Sequence, residues 1–329
     1  MSDEQALVST ATIQPERILH DLQQLWAQMA VDQADSGGVL RACAMTLVVA
    51  AEDESDADRA REIAGVLMHN HPSRAVILRP GAEAGKGADL DARIFAECWK
   101  PFGKAQQICS EGIEITAGRS GFSQVTKFLV PLRVPDLPVV LWCRGTAALE
   151  AGPLEPLFPL ADKIIFDSAH VTDADSALQF LRRLRGRGFR VADLHWTRLT
   201  GWREVLAHLF DDQALDPGEV KSAQVTFGGP SVTTCARYFA AWIRTALPAA
   251  RVTIASGGLG GGPPGLRSVS LSTGSDNLTI ALGSDQCVEV SGAGRHYRSM
   301  LPSTSEEALM QEELGIVGPD PVYERALSA

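Results

Sequence analysis

The short run LPVVLW (Leu137–Trp142) places the tightest limit on what this chain can fold into. It is continuously apolar, it carries paired valines, and Arg144-Gly145 follow it directly. A strand with one wet face would alternate, so this one is buried on both faces, as in a parallel sheet. A second stretch, DLHWTRLTGWREVLAHLF (Asp193–Phe210), repeats the order of strand, aromatic, arginine and helix. Around these two segments lie further strand-like runs, CAMTLVVAA, RAVILRP, RIFAECW, ICSEGIEIT, KIIFDSA and VADLHW. Helical patterns separate some of them: one opens at Ser55 with Ala60, Ile63, Ala64 and Leu67 on its buried face. Another opens with the capping pair Thr172 and Asp175 and ends at Gly186. The expected fold class is α/β, a mainly parallel sheet with helices on both faces, followed by a smaller α+β domain with an antiparallel meander.

Three segments are expected. Residues 1–38 hold an amphipathic helix, from Pro15 with Ile18, Leu22, Leu25, Trp26 and Met29 on one face, and a polar linker. Residues 39–215 form the α/β domain. Residues 216–329 form the α+β domain: a strand (QVTFGG), a helix over Ser231–Leu247, and four close runs (RVTIAS, RSVSLS, NLTIAL, QCVEVS) read as the meander. A helix over Ser305–Leu314 and a PDPVY tail close the chain.

The net charge of −10 argues against non-specific affinity for nucleic acid, which needs a basic surface. The one dense cationic run, RRLRGRGFR (Arg182–Arg190), reads as the solvated end of a helix, where basic groups suit the negative terminus. No apolar run is long enough to span a membrane, and MSDEQALVST lacks the features of a signal peptide. The six cysteines are scattered with no C-x-x-C pair. This usage implies a cytoplasmic protein with no stable disulfide and mostly buried thiols, Cys109 and Cys143 being the two to watch.

Familiar catalytic patterns are missing. GRSGF (Gly118–Phe122) lacks the spacing of a nucleophile elbow, and GAEAGKGAD (Gly81–Asp89) lacks the hydroxyl residue of a phosphate loop. SGGLGGGPPG (Ser256–Gly265) precedes no helix and reads as a hairpin connection. His69 and His71 have no companion ligands, and His195, at a strand end, reads as a structural histidine. Arg144 and Arg198 both follow strands, at the sheet edge where α/β proteins bind ligands, whereas Arg74 opens a strand at the opposite edge. The first two can read an anionic metabolite or a partner's carboxylates. Alternatively they pair internally with Asp136, Asp167 or Asp193.

HPSR (His71–Arg74), CSEGI (Cys109–Ile113), VPDLPVVLWCRG, LADKIIFDSA (Leu160–Ala169) and DLHWTRLTGWREVLAHLF stand in an order and spacing that resemble the glucose-6-phosphate dehydrogenase assembly protein family, OpcA. The resemblance covers roughly Arg41 to Asp211. Within it the chain has Gly112 where the family usually has glutamine, and Gly201 where it has proline. The resemblance implies a non-catalytic activator of glucose-6-phosphate dehydrogenase in the oxidative pentose phosphate pathway, with no cofactor or metal of its own. Residues expected to meet the dehydrogenase or an effector are Asp136, Trp142, Arg144, Trp196, Arg198, Trp202 and Arg203, since Trp and Arg dominate binding hot spots. Trp142 and Trp202 are equally well placed to be core. The competing reading is an enzyme or sensor that binds a sugar phosphate or nucleotide at the sheet crevice.

Overall fold

A computed structural model of the chain describes residues 7–9, 14–33, 37–81, 91–101, 106–118, 122–149, 154–212, 215–257 and 264–329. The glycine-lysine stretch, most of GRSGF and the centre of the SGGLGGGPPG connection lie outside the described residues. Two compact units emerge, one of residues 1–166 with 188–191, the other of 167–187 with 192–329. This division lies upstream of the compositional change near residue 216.

The first unit contains α1 (Pro15–Asp32), α2 (Glu54–Met68), α3 (Phe122–Leu132) and strands β1 (Leu7–Ser9), β2 (Val39–Arg41), β3 (Met45–Ala50), β4 (Ser73–Gly81), β5 (Asp91–Trp99), β6 (Gln107–Gly118), β7 (Val139–Cys143) and β8 (Lys163–Phe166). With β9 (Val191–Asp193) they order as β1-β5-β6-β4-β3-β7-β8-β9, and β2 pairs with β6. The strands β6, β4, β3, β7 and β8 run parallel, while β5 returns antiparallel on β6. Every residue of β3 and of β7 is buried, as their uninterrupted apolar sequences require.

Local details differ from expectation. Asp53 caps α2, accepting from the Asp56 amide, so the helix begins before Ser55. Helix α3 has no counterpart in the sequence reading, because Pro131 makes its segment look broken. The proline falls in the last turn, where it removes only one backbone bond, and Val125, Leu129 and Leu132 still form a buried i, i+4, i+7 stripe. Cys98 and Cys109 face each other across β5 and β6 and form a disulfide, which corrects the expectation of none. The scattered spacing hid this pair because only the hairpin register brings the two together.

The second unit holds α4 (Ala174–Gly186), α5 (Leu194–Thr197), α6 (Thr200–Asp211), α7 (Thr234–Ala246), α8 (Glu306–Gly315), α9 (Pro321–Ser328) and strands β10 (Ser222–Gly228), β11 (Arg251–Ser256), β12 (Gly265–Ser272), β13 (Asn277–Leu282), β14 (Cys287–Gly292) and β15 (Arg295–Met300). Its sheet orders as β11-β10-β12-β13-β14-β15. From β12 to β14 it is the expected antiparallel meander, and β15, which the sequence reading did not include, continues it. RVTIAS is outside it: β11 lies parallel to β10 after the α7 crossover, and β12 flanks β10 on the other side. Helix α7 packs on β10, β11 and β12 and against α4 and α9, which explains why most of its residues are buried although it carries Arg237 and Arg244.

Three further corrections belong here. Asp173, not Thr172, caps α4 through the amides of Asp175 and Ser176. The strand VADLHW stops at Asp193, whose carboxylate caps α5, so His195 and Trp196 are helical. The PDPVY tail is the start of α9, with Asp320 as its cap and Pro321 in its first turn.

Candidate functional site

In the first unit the LPVVLW segment ends in a stacked arrangement. Trp142 is fully buried in β7, and the Arg144 guanidinium lies 4.3 Å from the centroid of its ring. Arg144 Nε and Nη2 donate to Asp56 Oδ1 at 2.8 and 2.6 Å, while Asp56 Oδ2 accepts from the Glu52 amide. The side chain of Arg144 is 6% exposed. Gly145, at φ 79°, turns the chain away, and a Cβ there would overlap Glu52. Asp136 takes no part: it is an exposed turn residue at φ 63°, before the opposite end of β7. Arg74, near the start of β4, is buried and donates to Glu111 and to the Leu132 carbonyl. Arg41 and the Trp26 indole converge on the same Glu111 carboxylate.

In the second unit the other predicted residues gather around Asp193. Its carboxylate accepts four donors, the Ser168 and His195 amides, the Ser168 hydroxyl and the Tyr238 hydroxyl. Burial, together with the nearby charge of Asp167, raises its pKa despite those donors. Ser168 Oγ also meets Thr234 Oγ1 at 2.8 Å, and His195 Nδ1 meets the same threonine oxygen. Cys235, next along α7, is bonded to Thr233; burial pushes its thiol up, but the His195 charge and hydrogen bond outweigh this and the net shift is downward. Tyr238 and Tyr323 are driven well above the usual phenol range by burial and by Asp193.

This network is the feature the sequence did not announce. The side-chain bonds that join it span 25 to 66 positions, and the local sign was an aspartate at a strand end. Serine, threonine, histidine and aspartate meet here, but in an order that consumes them. The serine bonds the carboxylate directly, the histidine bonds the threonine, and all four are buried. Such a knot locks α5 and α7 together; the hydroxyls are not presented to a substrate.

Arg198 forms a two-pronged pair with Asp167, at 2.7 and 2.8 Å. Burial pushes Asp167 up, but the Arg198 bonds and charge prevail and hold it below its ordinary value. Trp196 is buried between Tyr238 and Tyr323, and its indole donates to Asp320. The Arg203 guanidinium lies over this indole, 3.7 Å from the ring centroid, and donates to the Trp196 carbonyl and Thr200 hydroxyl. Half-buried, it is pushed down to about 10 by desolvation. Trp202 is core, edge-on to Phe239. The structure therefore brings Trp196 and Arg203 together and, separately, Trp142 and Arg144. No group of three His, Cys, Asp or Glu residues arranged to hold a metal occurs among the described residues, and His69 stacks on Trp99.

The two sequence stretches that drew attention fall within two domain models of one family. Residues 64–183 match the glucose-6-phosphate dehydrogenase subunit N-terminal domain, and residues 189–327 match the corresponding C-terminal domain. The chain belongs to the OpcA family. Curated relatives include OpcA, a protein named for the OxPP cycle, from Synechocystis sp. strain PCC 6803. It is 31% identical over 164 residues, 49% of this chain and 33% of the relative. The OpcA of Synechococcus elongatus is 28% identical over 46% of this chain and 34% of its own length. The match thus spans about a third of the curated relatives. Among solved structures, KijD10, a 3-ketoreductase from Actinomadura kijaniata, covers 86% of this chain and 93% of its own at 11% identity and a TM-score of 0.46. That likeness carries no argument about chemistry. No helix among the described residues is long and apolar enough to cross a membrane.

Proposed function

We propose that this chain is a non-catalytic assembly factor of glucose-6-phosphate dehydrogenase that acts in the cytoplasm and shifts the enzyme toward a more active state. One observation carries the reading: two consecutive stretches match, in chain order, the N-terminal and C-terminal domain models of a glucose-6-phosphate dehydrogenase subunit. The site geometry is compatible, because the groups with catalytic potential around Asp193 are engaged with one another. Of the seven predicted residues, the exposed Asp136 and the half-buried Arg203 are assigned to contact with the dehydrogenase. Trp142, Arg144, Trp196, Arg198 and Trp202 are assigned to holding the surrounding surface in shape.

An activator moves a conformational equilibrium only by its differential affinity for the two states. If it tightens glucose 6-phosphate tenfold, the coupling is about 1.4 kcal/mol, and the sugar phosphate must tighten the protein complex by the same factor. The test is titration of the cognate dehydrogenase with this chain, following complex mass and activity with and without glucose 6-phosphate. The expected result is a complex, raised activity, and tighter association when the sugar is present. Arg203→Ala should weaken association by about 1–3 kcal/mol. No complex and no kinetic change at micromolar concentration overturns the proposal. Tight binding of a sugar phosphate or nucleotide by the isolated chain would support the crevice-binding alternative instead.

A further inference from the structure

The sheet of the second unit has two faces of opposite character. The registers place Val225, Val269, Ile280 and Val290 side by side on one face, against which α7 packs over β10–β12, and all four are fully buried. The other face carries Gln224, Ser270, Thr279 and Ser291 in one continuous row across four strands. Gln224 and Ser291 are exposed, and Ser270 and Thr279 are partly exposed, their hydroxyls 3.1 Å apart. The adjoining row, Ser268, Ala281, Glu289 and Arg298, is equally short-chained until its end, where Glu289 and Arg298 pair at 3.5 Å. Beyond them Met300 on the edge strand is 77% exposed.

Sheet faces that meet only water usually spread long charged side chains over their surface, which also discourages association. Small hydroxyls in register make a flat plane that a second sheet can approach to about 10 Å. A hydroxyl both donates and accepts, so a plane of hydroxyls complements a copy of itself in either sense. Charge points the same way. The chain carries a net −10, yet the charged residues on this face, Arg251, Glu289 and Arg298, sum to no negative charge. Two copies can therefore meet here without the repulsion that the rest of the chain's surface imposes. With strands ~4.8 Å apart and ~3.3 Å per residue, six strands of about six residues project over about 600 Å². That reaches the roughly 600–1,000 Å² per partner that stable interfaces bury.

We infer that the open face of the β10–β15 sheet is a self-association surface, on which a second copy of this chain packs its own β10–β15 sheet about a two-fold axis. The contact is isologous, so any change on the face is repeated on the other side of the axis. The proposal does not depend on the dehydrogenase.

The test is the solution mass of the full chain by sedimentation, for wild type and for the double variant Ser270→Arg/Thr279→Arg. The two arginines face each other across β12 and β13, which lowers stability only slightly at a partly exposed pair, so the variant should fold, and a circular dichroism melt near that of the wild type checks this. The expected wild-type species is a dimer at micromolar concentration. The variant places like charges against each other across the axis and should raise the dimer dissociation constant on the order of 100-fold or more. A wild-type chain that is monomeric at tens of micromolar overturns the proposal, as does a dimer that the double variant leaves intact. Should the wild type be monomeric while the variant loses only its binding to the dehydrogenase, the face belongs to that enzyme and self-association is wrong.

Discussion

At the scale of single residues, Arg198 and Arg144 carry the clearest contrast between type and partner. Both are arginines that the sequence places after strands beside an aromatic; Arg144 does follow β7, whereas Arg198 follows the short helix α5. One of their carboxylates is legible: Asp167, 31 positions from Arg198, is among the three candidates, whereas Asp56, 88 positions from Arg144, is not. The other two candidates, Asp136 and Asp193, fail for a geometric reason, since Asp136 precedes the wrong end of β7 and Asp193 is already saturated by four donors. Because Arg198 is spent internally, Arg198→Ala should lower stability by about 2–4 kcal/mol, less than for a wholly buried pair. It should leave affinity for the dehydrogenase per folded molecule unchanged. The pH dependence has a definite sign. Asp167 is held below its ordinary value, so its contribution is complete above about pH 4, where the unfolded carboxylate titrates, and is lost as pH falls through the depressed folded value. The difference between wild type and variant, read from melts at a series of pH values, should narrow in acid. A difference that widens there would contradict the internal pair.

At the scale of elements, the strands buried on both faces were the easiest to read, since β3, β4 and β7 are near-continuous runs of Val, Ile, Leu and Ala. The elements that escaped share a cause: their local pattern conflicts with their tertiary setting. Strand β15 (RHYRSM) shows no apolar alternation because it is an edge strand with little on either side to bury against. Helix α9 began with prolines that read as a tail. The β5–β6 hairpin gives the finest example. Gly112 sits directly opposite Phe95, and a Cβ at that position would overlap the phenyl ring. A glycine weakens a strand, but here the aromatic covers the gap, so the residue that departs from the family is explained by its neighbour across the ladder. A few residues along, Cys98 and Cys109 close an eleven-residue separation. The chain-entropy argument assigns such a loop about 3 kcal/mol of stabilisation. Reduction, or the double change Cys98→Ser/Cys109→Ser, should therefore lower the melting transition that includes this hairpin. Peptide mapping under non-reducing conditions should recover the 98–109 linkage. Free thiols at both positions would sink this assignment.

At the scale of the whole molecule, the fold class was readable because strand and helix patterns alternate and then give way to a run of closely spaced strands. The polar knot around Asp193 was not, because it exists only once α5 and α7 are side by side. The proposed function makes a prediction at this scale through mass action. A dehydrogenase that binds only the folded chain stabilises it by about 2.7 kcal/mol when present at a hundred times its dissociation constant. Scanning calorimetry of the mixture should show a rise of several degrees in this chain's transition, which grows with dehydrogenase concentration and with added glucose 6-phosphate. A transition that stays put across such a series would leave no room for a specific complex.

The backbone leaves the first unit after Phe166, comes back to it for Gly188–Val191, and departs again. The match to the N-terminal domain model ends at residue 183 and that to the C-terminal model begins at 189, so the natural place to divide the chain falls inside this excursion. Any cut there strands a piece of one unit on the wrong fragment. Severed after Arg187, the N-terminal fragment keeps Asp167–Arg187, α4 included, which the second unit needs, and lacks the four residues that complete the first. Halves exchanged between relatives at this seam would each arrive incomplete, so in heredity as in the test tube the two units must travel as one piece.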